Sequence, residues 1–166
     1  MGEPTRDSIR ADPASGAEAW TFGVPLCVTG SSLAILKMLR PARTVGTGFK
    51  FVGSGVRQFV ATREDIPILS ADGWPPAPEI DPDPMSNVSG FEVTQPCNYT
   101  VTGRYAELLI GLAQEGITGG GWEGIEISYS VNGRSFVLVL HHDIAICGTA
   151  VSCSPPGSSL PATSTK

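Results

Sequence analysis

The stretch SYSVNGRSFVLVLHHDIAICG (residues 128–148) holds an Asn-Gly pair between two apolar runs, then His-His-Asp, then a cysteine. Asn132-Gly133 is a strong short-range hairpin signal, because a two-residue type I′ turn needs positive φ at both central positions. The turn sets the register. Val131 faces Arg134, Tyr129 faces Phe136, Ile127 faces Leu138 and Ile125 faces Leu140. Side chains alternate with period two, so the pairs from Tyr129 to Leu140 share one face. Glu126, Ser128 and Ser130 lie on the other face, against Val139, Val137 and Ser135. The reading is one core face and one mixed face. A one-residue slip would exile the whole apolar set, so the register is firmly specified.

The rest of the chain extends this β pattern. Its 166 residues fit one domain with tails. Charged residues are 16%, well below the ~25% of an average soluble domain. With 20 Gly and 14 Pro, the composition suits short strands joined by turns better than long helices. AWTFGVPLCVTG reads as an opening strand, with Pro25 tolerable at an edge or bulge. Residues 33–39 suit either helix or strand. The flanking Thr-Gly and Pro41 favour a strand, with Leu33, Ile35 and Lys37 on one side and Ala34, Leu36 and Met38 on the other. TVGTGFKFVGSGVRQFVAT reads as one bent strand or two short ones. In CNYTVTGRYAELLIGLAQ, Ala106, Leu108, Ile110 and Leu112 fall on one face, and Tyr105, Glu107 and Leu109 on the other. The expected fold is all-β: an immunoglobulin-like antiparallel β-sandwich of about seven or eight short strands over residues 19–153. Residues 1–18 read as a disordered leader, 64–90 as a long acidic Pro-rich loop, and 154–166 as a disordered tail.

Charge and cysteines bound the function. Net charge is −5, and Lys37, Lys50 and Lys166 are the only lysines. No basic cluster tracks phosphates, so nucleic acid is not expected as a partner. No run is long enough to be a transmembrane segment. Cys27, Cys97, Cys147 and Cys153 are even in number and form no Cys-x-x-Cys pair. Two disulfides are expected, and with them an oxidising, extracellular or cell-envelope setting. The opening MGEPTRDSIRADPASG has no apolar signal region, so the signal or anchor is expected to be absent from this chain.

Trp20-x-Phe22-Gly23-x-Pro25-Leu26-Cys27 is followed by Arg40-Pro41, Gly55-Val56-Arg57, Glu107-Leu108, Tyr129-x-x-x-Gly133 and Ile146-Cys147. This order resembles uncharacterised small secreted or lipid-anchored β-sandwich envelope proteins of high-GC Gram-positive bacteria, across about residues 20–153. The resemblance implies an immunoglobulin-like sandwich with a cysteine ending the last strand, and it carries over no catalytic residue. It also implies a Cys27–Cys147 bridge with Cys97 paired to Cys153. The rival pairing joins Cys147 to Cys153 and Cys27 to Cys97, and sequence does not choose between them.

His141-His142-Asp143 is the one cluster with chemistry in it. Neighbours on a strand point to opposite faces, so the two imidazoles do not readily share a metal. His141 and Asp143 share a face, and a copper or zinc site there would need further ligands, with Cys147 as a source if its thiol is free. The same thiol would be needed for a Cys/His nucleophile. The preferred reading is a strand end where a bulge lets polar residues interrupt an apolar run. Asp81 and Asp83 lack the ligand alternation of a calcium loop. Trp74, beside Pro75-Pro76, is either an exposed binding anchor or folded back onto the sandwich. Trp74 and Trp122 are the speculative binding residues. No cofactor is expected. The expected function is a non-enzymatic binding or structural module of the cell envelope that contacts an unknown protein or cell-wall component. The alternative is a metal-binding envelope protein centred on His141 and Asp143.

Overall fold

The structure, a computed structural model, describes residues 7–30, 32–60, 68, 70–79, 85–97 and 104–153. Within them the chain is all-β. The strands are β1 (Asp7–Ala11), β2 (Ala19–Leu26), β3 (Ala34–Gly46), β4 (Phe49–Val60), β5 (Ser70–Asp72), β6 (Glu92–Val93), β7 (Arg104–Gln114), β8 (Gly120–Val131), β9 (Arg134–Leu140) and β10 (His142–Ile146). They form two sheets. One has the order β1-β10-β8-β3-β6, with β9 also paired to β8; the other has the order β4-β7-β2-β5. The core lies between them. Trp20, Phe22, Val56, Leu108, Ile110 and Leu112 from one sheet meet Leu36, Trp122, Ile125, Ile127, Ile144 and Ile146 from the other.

The hairpin forms in the expected register, with Val131 opposite Arg134 and Ile125 opposite Leu140. Asn132 and Gly133 both have positive φ, at 49° and 77°. Residues 34–46 are strand, not helix. A bulge between Leu36 and Met38 upsets the expected alternation: Leu36 is buried, while Met38 faces solvent. β4 is one strand with a bulge after Phe51. β7 alternates as its sequence suggests, with Ala106, Leu108, Ile110 and Leu112 in the core.

Several expectations need correction. The described strands number ten, not seven or eight. The folded part begins before residue 19. Asp7–Ala11 is a strand parallel to β10, and Pro13–Ser15 is a 3-10 turn capped by the Asp12 side chain on Ala14 N at 2.9 Å. Two apolar side chains, Ile9 and Ala11, suffice because they reach a core that already exists. Residues 64–90 include β5, which pairs with β2. The disulfides are Cys27–Cys97 and Cys147–Cys153, with Cα separations of 4.9 and 5.1 Å. The pairing implied by the resemblance is not the one formed. Cys27 continues β2 in one sheet, whereas Cys147 follows β10 in the other and sits beside the end of β1. The tail 154–166, Asp81, Asp83 and residues 64–67 lie outside the described residues.

Candidate functional site

β9 is the anomaly of the fold. Four consecutive apolar residues stay open to solvent: Phe136 at 44%, Val137 at 60%, Leu138 at 42% and Val139 at 43%. The cause is geometric. Phe136 and Leu138 lie on the same face as the core residue Ile127 and the partly buried Tyr129 opposite them, yet both stay exposed, so β9 overhangs the facing sheet. Tyr129 and Phe136 stack at 5.6 Å. Val137 and Val139 project from the other face, opposite Ser128 and Glu126. Among the described residues, β8 is the only strand paired with β9.

Beneath the overhang is an apolar groove of about 480 Å³. Its lining includes Leu26, Leu36, Val93, Ile127, Phe136 and Leu138. One wall is held by the Cys27–Cys97 bridge, reinforced where Val28 N donates to Gln95 O at 2.8 Å and Cys97 N donates to Val28 O at 3.1 Å. Tyr129, Thr29 and Ser32 are the polar side chains that line it. Such a lining favours contact with apolar groups over acid–base chemistry.

The His-His-Asp segment lies where β9 hands over to β10. Ile125 pairs with Leu140 and Trp122 with Ile144, so residues 141–143 stand opposite residues 123–124, three against two. That extra residue is the mark of a β-bulge. Gly124 takes φ +76°, and its N–H donates to Asp143 Oδ1 at 3.0 Å. Cys147 is disulfide-bonded and supplies no thiolate. No group of three His, Cys, Asp or Glu side chains gathers as a metal site among the described residues. A metal reading rests on His141 and Asp143 alone.

Trp122 is a core residue at 4% exposure, packed 5.4 Å from Phe51, so it is not available as a surface contact. Its polar neighbours in sequence hid this, because Gly121 and Glu123 give no apolar run around it. Trp74 is half-buried and folded back over the outer face of the β4-β7-β2-β5 sheet. The seat is made of glycine. A Cβ on Gly111 would come within 2.2 Å of the indole, and one on Gly53 within 2.7 Å. Thr21 Oγ1 fixes the turn by donating to Gly73 O at 2.7 Å. Trp74→Ala is therefore expected to cost about 2–3 kcal/mol, below the ~3–5 kcal/mol of a fully buried tryptophan. Chemical denaturation checks this. A loss within ~0.5 kcal/mol would restore Trp74 as a free surface anchor.

The same outer face carries a feature that sequence reasoning missed. Arg57 and Glu107 form a buried ion pair, Nε to Oε2 at 2.8 Å, with side-chain exposures of 2% and 0%. The Glu107 carboxylate packs against the Gly23 backbone, where a Cβ would meet its Oε1 at 2.1 Å. The pair joins β4 to β7, and its partners are 50 residues apart in sequence.

No family model, curated protein or solved structure matches this chain.

Proposed function

We propose that the chain is a non-enzymatic binding or structural module of the cell envelope or extracellular space, and that its contact surface is strand β9 with the groove beneath it. The observation that carries this reading is the apolar, unguarded edge of β9. Proteins manage open edges explicitly, and a long apolar edge is a template for another strand. Three other edge strands are managed. β5 and β6 have three and two residues. β4 carries a bulge, and Ser86 exchanges two backbone hydrogen bonds with Val56 at 2.8 and 2.9 Å. Among the described residues, β9 has none of these devices. Strand addition would use its backbone groups for affinity and its groove for side chains.

Two disulfides support the oxidising setting. No helix among the described residues is long and apolar enough to cross a membrane. The surface proposed here replaces the Trp74 loop, because Trp74 is engaged with its own sheet.

The groove is tested with the dye 1-anilinonaphthalene-8-sulfonate, which brightens in apolar sites. The native protein is expected to enhance its fluorescence. Leu138→Lys is expected to abolish most of the enhancement while the far-ultraviolet circular dichroism stays native. Enhancement that survives Leu138→Lys would remove the groove from consideration.

A further inference from the structure

We propose that β9 is covered by β9 of a second copy of this chain, antiparallel about a two-fold axis through Val137. This rests on the binding reading above and names its partner. The free edge has defined ends. One end is the Asn132-Gly133 turn. At the other, β1 takes over, pairing with β10 from Asp7 opposite His142 onward. Among the described residues, what remains open is Arg134–Leu140, seven residues centred on Val137. A strand paired antiparallel with its own copy over its whole length must place its central residue on the two-fold axis.

The backbone agrees with that axis. A type I′ turn makes Val131 and Arg134 a hydrogen-bonded pair, and such pairs then alternate with non-bonded ones along an antiparallel ladder. The ladder between β8 and β9 has no register shift. The residues opposite Tyr129, Ile127 and Ile125 therefore bond inward to β8. Ser135, Val137 and Val139 turn their N–H and C=O groups outward. A two-fold axis at Val137 pairs Val137 with its own copy and Ser135 with the partner's Val139, so every outward group finds a mate. Moving the axis by one residue either way brings Gly133 of the turn or His141 of the bulge into the ladder, and full pairing is lost.

The side chains agree too. Opposed residues in this register share a face, so Phe136 meets Leu138 of the second copy across the groove side. Arg134 is the only charged residue of β9. It sits at the strand end, so the two Arg134 side chains are placed at opposite ends of the interface. Joining the two edges uses up both, and the assembly closes at two copies. A seven-residue ladder is small beside the ~1,200–2,000 Å² of a standard stable interface, so the dimer is expected to dissociate on dilution, with a midpoint on the order of 1–100 µM.

Sedimentation velocity and site-directed cross-linking test this on the full chain. All four native cysteines are paired, so an introduced cysteine is the single free thiol. Hydrogen-bonded antiparallel pairs have Cα atoms about 5.5 Å apart, within disulfide range. Val137→Cys is expected to oxidise to a covalent dimer. Ser135→Cys and Val139→Cys are each expected to fail alone and to succeed when mixed. Val137→Pro removes an outward N–H without touching the β8 ladder, and is expected to give a monomer with native circular dichroism. A monomer up to about 500 µM, or equal cross-linking at all three positions, overturns the proposal. Dye binding that responds to Leu138→Lys in such a monomer would keep the groove as a binding site and assign it another occupant. A dimer whose groove ignores the dye would keep the second copy and discard the groove.

Discussion

Replacing Arg57 with methionine is expected to lower the unfolding free energy by about 3–5 kcal/mol. The partner explains the size. Glu107 is 0% exposed, so removing Arg57 takes from a buried carboxylate the guanidinium that lies 2.8 Å away. The guanidinium also lies 4.3 Å from the Phe59 ring centroid, and that contact is lost as well. Much of the cost is the desolvation of a carboxylate that stays buried with less to offset it, not the net worth of the pair. The double replacement Arg57→Met with Glu107→Met therefore separates the two. Methionine is unbranched and adaptable, and it follows the course of both side chains past the Gly23 backbone. The double variant is expected to be more stable than Arg57→Met alone, with a coupling of about 2 kcal/mol or more. Guanidinium denaturation of the four proteins, with disulfides intact, measures this. Strictly additive losses, or a single-variant loss under about 1 kcal/mol, would mean that the pair is hydrated in solution.

That pair also shows where sequence reading stops. Glu107 sits on the opposite face of β7 from Leu108 and Ile110, and alternation alone assigns it there. Alternation does not say that β4 lies alongside, or that a segment folds over the face and buries it. The hairpin was legible for the contrary reason: its turn chemistry and both its strands lie within 21 residues. Even there, the pattern assigned Phe136 and Leu138 to the core face without revealing that the facing sheet ends short of them. Periodicity groups side chains by face; it does not show what stands opposite. The bulge before Met38 is a similar case. One inserted residue sent Met38 to solvent against a pattern that placed it with Leu36. β1 was hidden by its own brevity, since five residues with two apolar positions carry no period.

The groove depends on a covalent wall, and the two bridges are not equivalent. Cys27 and Cys97 are 70 residues apart, while Cys147 and Cys153 are 6 apart. In the chain-entropy account, a bridge stabilises by restricting the unfolded chain, and the effect grows with the logarithm of the loop. Replacing Cys27 and Cys97 with serine is expected to cost about 4 kcal/mol, and replacing Cys147 and Cys153 about 2 kcal/mol. The longer bridge has a second effect. It ties the end of β2 to the 95–97 segment, which joins β2 through Val28 and Pro96. Its loss should loosen the groove wall as well as the whole domain. Removing the shorter bridge, at the far end of β10, should leave the groove intact. Denaturation midpoints and dye binding on the two double-serine variants distinguish these effects. Equal losses would show that local strain or residual structure in the unfolded chain outweighs loop length. If the ordering holds, protein made in a reducing compartment lacks most of this support and is expected to unfold at lower denaturant than exported protein. That difference ties the groove to the oxidising setting in which it is proposed to act.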